Sequence, residues 1–77
     1  MQNLYVTTDL NIAAYLALYC RLEKMDRTNP RKVQFCFEDS AELQAALEAY
    51  WSNEAKVSPM ALLSSVRNLK HRLYDQP

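Results

Sequence analysis

The residues best suited to chemistry in this chain are cationic and aromatic. Arg67, Lys70, His71 and Tyr74 fall on adjoining angles of one helical segment, and Leu63 precedes Arg67 by one turn on the same stripe. Arg27, Arg31 and Lys32 form a second group around Asn29-Pro30. Lys and Arg beside an aromatic ring can hold phosphates and stack a base. The same residue types suit a protein interface, where Arg and aromatics are enriched. A third account needs no partner, because cations in the last turn of a helix complement its dipole.

Catalysis finds less support. His71 stands alone on the solvent side of its helix, and no serine has a visible His and Asp partnership. General acid–base work needs a base held against a second group in a cleft. Cys36 alternates onto the strand face opposite Phe35 and Phe37, where a thiolate would be exposed, yet its neighbours Arg31 and Lys32 give it no clear activation. Cys20 and Cys36 read as reduced, small residues of a core or half-core. With His71 as the only other soft ligand, a zinc site lacks donors. The chain has no glycine, which excludes glycine-rich phosphate loops and dinucleotide fingerprints. No enzyme activity, cofactor, metal or small-molecule substrate is therefore expected.

Charge is balanced overall but not along the chain. Nine Lys and Arg face nine Asp and Glu, for a formal net charge of zero. From Glu38 to Glu54 the charges are all acidic: Glu38, Asp39, Glu42, Glu48 and Glu54. From Lys56 to Tyr74 they are all basic: Lys56, Arg67, Lys70 and Arg72, with His71 beside them. Zero net charge gives nothing global to attract nucleic acid or anionic lipid. The longest apolar run, Ile12 to Cys20, is too short to span a bilayer. No signal-peptide pattern opens the sequence, and a cytoplasmic location is expected.

Six elements must position these residues. Leu4 to Thr8, rich in Val, Tyr and Thr, reads as a strand. Thr8 or Asp9 then caps a helix running from Leu10 to Tyr19 or Cys20. Its large side holds Ile12, Tyr15, Leu16 and Tyr19, and its small side Ala13, Ala14 and Ala17. The alanines permit close approach of another backbone, either within the fold or across a dimer. Arg21 to Thr28 forms a strand only with a bulge, because Leu22 and Met25 break period-two alternation. Val33, Phe35 and Phe37 mark the strongest strand, joined to the previous one by a hairpin. Asp39 and Glu42 suggest a capping box for a helix over Ser40 to Asn53. Tyr50 and Trp51 fall on its core stripe. Ser58 and Pro59 open the last helix, Pro59 to Tyr74, with a core stripe of Leu62, Val66, Leu69 and Leu73. Asp75 to Pro77 should fray.

The order β-α-β-β-α-α predicts one α+β domain over residues 1–77. Its sheet should be three-stranded and mostly antiparallel, with the third strand in the middle and the helices on one face. A chain this small buries about 60–65% of its unfolded surface, so it needs dense packing or a partner subunit.

The chain resembles a family of small uncharacterised bacterial and phage domains known only as a domain of unknown function. The resemblance rests on Thr7-Thr8-Asp9-Leu10, Asn29-Pro30-Arg31, Phe35-Cys36-Phe37-Glu38-Asp39-Ser40 and Tyr50-Trp51, then on Val57-Ser58-Pro59 and Leu69-Lys70-His71-Arg72-Leu73-Tyr74. Where that family often places glycine after the first helix, this chain has Tyr19-Cys20-Arg21, so that helix end should be built differently. The resemblance implies a shared fold and a prokaryotic or viral setting. It implies no activity.

The expected role is a non-catalytic interaction or regulatory module, homodimeric or bound to a protein partner, with no membrane contact. Leu63, Arg67, Lys70, His71 and Tyr74 form its first candidate surface, and Arg27, Arg31 and Lys32 its second. One alternative is a nucleic-acid-binding accessory protein that uses the basic side of the last helix and the hairpin at 21–32. Another is an inhibitor encoded by a phage or mobile element.

Overall fold

A computed structural model describes residues 3–29 and 31–74. The elements are β1 (Leu4–Thr7), α1 (Leu10–Leu16), β2 (Leu22–Asp26), β3 (Gln34–Glu38), α2 (Ala41–Trp51) and α3 (Pro59–Tyr74). The sheet order is β1-β3-β2, and both pairings are antiparallel. The α+β class, the element order and the central third strand are thus as the sequence predicts. The expected fraying of Asp75 to Pro77 and the conformation of Pro30 lie outside the described residues.

The local chemistry explains the boundaries. Asp9 caps α1, its Oδ1 accepting from the N–H groups of Asn11 at 2.8 Å and Ile12 at 3.1 Å. α1 stops earlier than expected, at Leu16, and leaves through a tight turn. There the Tyr19 and Cys20 N–H groups donate to the Leu16 carbonyl at 3.0 and 2.7 Å. The capping box of α2 does not form. Ser40, not Asp39, is the cap, accepting from the Leu43 N–H at 3.1 Å. Glu42 thereby sits one residue short of the position from which it could reach back. Asp39 instead accepts from the Gln44 side-chain amide at 2.9 Å.

Without glycine, α2 ends on Asn53, the one non-glycine residue with positive φ (62°) among the described residues. Glu54 N–H donates to the Ala49 carbonyl at 2.8 Å and Asn53 N–H to the Tyr50 carbonyl at 3.3 Å. This is the paired bonding of a Schellman end, with asparagine in the left-handed position. The bulge expected in β2 is present: Leu22 faces Phe37 and Lys24 faces Cys36, so Glu23 is the extra residue.

All three helices cover one face of the sheet. Phe35 and Phe37 point from β3 into a core with Ile12, Leu16, Leu43, Leu47 and Leu69. The uncovered face carries Leu4 and Val6, both exposed. α1 is central, buried on every side from Ile12 to Leu16. Its alanine face receives α3: Ala13 and Ala14 are fully buried, and the Ser65 hydroxyl donates to the Ala14 carbonyl at 2.8 Å. That face is therefore spent inside the monomer and is not available to a dimer.

Two side chains depart from the sequence reading. Trp51, expected in the core, is 68% exposed. It lies in the last turn of α2 and packs edge-on against Tyr50 rather than inward. Tyr50 alone reaches the core margin, beside Tyr15, whose hydroxyl donates to the Ala46 carbonyl at 2.8 Å. Cys36 does lie opposite Phe35 and Phe37, but it is buried, not exposed. Its small side chain sits in the central strand between the larger partners Val6 and Lys24, which cover it.

Candidate functional site

The sequence offered two separate basic segments, and the fold joins them. The joint is Arg27, which leaves β2 just before the hairpin loop. Its guanidinium donates to the carbonyls of Arg72 at 2.6 Å and Leu73 at 3.1 Å. The last carbonyls of a helix have no intrahelical donor. A positive fork there satisfies them and opposes the negative end of the helix dipole. Arg27 is therefore a structural clamp as well as part of the basic surface. Arg27→Ala should cost about 1–2 kcal/mol, through lost charge-assisted bonds. Arg31→Ala, on the exposed loop, should change stability by less than about 0.5 kcal/mol. Urea unfolding of both variants checks this, and equal midpoints would remove the clamp.

The loop that carries Arg31 and Lys32 is tied by its own polar groups. The Thr28 hydroxyl and N–H donate to Asp26 Oδ1 at 2.6 and 2.9 Å. Those bonds hold the Asp26 carboxyl below its ordinary pKa. Asn29 accepts from the Arg31 N–H at 3.0 Å through its side chain, and from the Lys32 N–H at 3.0 Å through its carbonyl. The turn is a self-bonded Asx turn, and it presents both cations to solvent.

Between this loop and the end of α3 lies a cleft of about 680 Å³. Its exposed lining is Arg31, Lys32, Thr8 and Tyr74, with half-buried Arg27 beside them. Its deeper lining is apolar: Leu10, Val33, Phe35 and Leu73. A shallower depression runs on from Tyr74 along α3, lined by Arg67, Lys70 and His71. A third, lined by Met25, Arg27, His71 and Arg72, closes the circuit. Six of the nine Lys and Arg residues (Arg27, Arg31, Lys32, Arg67, Lys70 and Arg72) thus surround Tyr74 and His71. Among the described residues, no Asp or Glu lines any of the three hollows. Asp26 borders a neighbouring depression with Lys32.

Three of the nine acids gather elsewhere. Glu23, Glu38 and Glu42 line a depression with Cys20 and Arg21, at the end of the sheet away from the hairpin loop. Balanced net charge therefore conceals an acidic end and a basic end. Burial, then the Glu42 charge, push the Cys20 thiol pKa up, which disfavours a reactive thiolate.

Leu63 is not part of the basic end. It is 57% exposed and lies farther back on α3, with Met60 (72% exposed) one turn before it. The sequence reading missed Thr8, Leu10, Val33 and Phe35 as cleft residues. Nothing in their spacing pointed to it, because β1, α1 and β3 meet the end of α3 only in the fold. Among the described residues, no cluster of His, Cys, Asp and Glu could hold a metal ion. No helix among them is long and apolar enough to cross a membrane.

A family model described as "Domain of unknown function (DUF5659)" matches residues 2–75 of the chain. No curated protein and no solved structure matches it.

Proposed function

Since the chain belongs to the DUF5659 family, whose description assigns no activity, we propose a function from its surface: a non-catalytic module whose basic end binds nucleic acid. One observation carries this reading. Six cations and an 82% exposed Tyr74 converge on one end of the molecule, in hollows that no acid among the described residues lines. Local field, not net charge, governs encounter with a polyanion. His71 supports binding over catalysis, because among the described residues its hollows contain Arg67, Lys70, Arg27 and Arg72 but no carboxylate or thiol to pair with it.

Binding through phosphates must weaken with salt. If about four cations engage a single strand, affinity should fall roughly 50-fold between about 50 and 200 mM salt. Fluorescence anisotropy with labelled oligonucleotides measures this directly. Arg67→Glu with Lys70→Glu should remove most of the salt-sensitive binding. Absence of binding at low salt, to single strands and duplexes alike, would end the reading.

A second reading rests on Met60 and Leu63, whose exposure gives the first half of α3 an apolar outer face. That face suits a protein partner or a second copy of the chain. Sedimentation that shows a monomer at high micromolar concentration would reject the homodimer form.

A further inference from the structure

We infer that the cleft between the hairpin loop and the end of α3 takes one unpaired nucleotide, so that the basic end prefers single strands to duplexes. This inference rests on the nucleic-acid reading and adds the form of the ligand. A surface that reads only duplex phosphates needs cations and no apolar recess. Here the recess exists: about 680 Å³, with Leu10, Val33, Phe35 and Leu73 at depth. That volume falls in the range of about 300–1,000 Å³ usual for small-ligand pockets. Apolar lining gains nothing from a phosphate, which would lose its water there. It gains from the flat, weakly hydrated face of a base.

The polar edge is arranged to match. The Arg27 guanidinium is committed to two carbonyls of α3. Arg31 and Lys32 stand exposed at the mouth, where a phosphate attached to the inserted base would lie. Tyr74 lines both this cleft and the hollow beside Arg67 and Lys70. Its ring stacks on no other aromatic ring among the described residues. An exposed tyrosine between two cationic hollows is a stacking platform with phosphate sites on either side. Bases in a duplex are already stacked and paired, so only an unpaired base can use it.

The test compares a labelled single strand with the duplex of the same sequence, at low salt, by anisotropy. The wild-type chain should bind the single strand at least about fivefold more tightly, and up to about 150-fold, the range one stacked base supplies. Tyr74→Ala should bring the ratio of the two affinities close to one, and Tyr74→Phe should restore it. Tyr74 is 82% exposed, so neither variant threatens the fold; circular dichroism verifies that. Equal wild-type affinities, or a ratio unmoved by Tyr74→Ala, would overturn the nucleotide cleft and leave the nucleic-acid reading standing. Failure to bind either probe would overturn both.

Discussion

Phe37→Ala should lower the free energy of unfolding by about 3–5 kcal/mol, the cost of deleting a buried aromatic ring and leaving its cavity. Phe37 has no exposed surface and sits on the central strand. It pairs with Tyr5 of β1 on one side and Leu22 of β2 on the other. Helices cover it from above, so no neighbour can collapse into the gap without moving an element. A domain of 77 residues rests on about 4–12 kcal/mol in total. The substitution therefore removes a large share of the stability, and much of the variant population unfolds near the low end of that range. Urea unfolding followed by circular dichroism reads the effect. A loss below about 1 kcal/mol with an unchanged slope would mean that the ring is not at the centre of the core. Val6→Ala, on the uncovered face, is the contrast and should cost far less.

The second large effect lies where α1 meets α3. Ala14→Leu should destabilise by about 1–3 kcal/mol or more, by overpacking. Ala14 has no exposed surface, and its carbonyl accepts a 2.8 Å bond from the Ser65 hydroxyl. A hydroxyl of α3 that reaches a backbone carbonyl of α1 brings the helices too close for a larger side chain. Leucine there either pushes α3 away, which breaks the bond and uncovers Leu69, or adopts a strained rotamer. Ala45→Leu, at an exposed position of α2, adds the same atoms and should stay within about 0.5 kcal/mol. Equal thermal midpoints for the two variants would show that the alanine face of α1 is not packed against α3. Because α3 carries Arg67, Lys70 and Tyr74, Ala14→Leu should also disturb the basic end, which gives a second readout in the binding assay.

The secondary structure was readable because its signals are local. Val33, Phe35 and Phe37 alternate as a strand must, although Val33 itself falls just before β3. Asp9 and Ser58 stand where a helix lacks acceptors for its first N–H groups, and both serve there. The bulge in β2 followed from the failed alternation of Leu22 and Met25. The errors came where one residue of register or one layer of neighbours decides. Ser40 displaced Asp39 as a cap by a single position. Trp51 kept the helical period of a core residue, but as the last residue of α2 it stays exposed, its ring edge-on to Tyr50. Cys36 alternated to the open face, yet in a central strand a small side chain is covered by its neighbours on both sides.

The candidate surfaces show the same division. Leu63, Arg67, Lys70, His71 and Tyr74 could be placed on one side of a helix by angle alone, and Arg31 and Lys32 beside a turn by the Asn29-Pro30 pair. That the two groups share one cleft could not be read, because Arg27 meets Leu73 across 46 positions of sequence. Element type, order and capping depend on hydrogen bonds and side-chain periods that repeat within a few residues, and these the order of amino acids prescribes. Which faces are used up, where the acids and bases gather, and what lines the cleft depend on contacts between distant segments. Packing around α1 decides them, since only burial of both its faces brings the end of α3 against the hairpin.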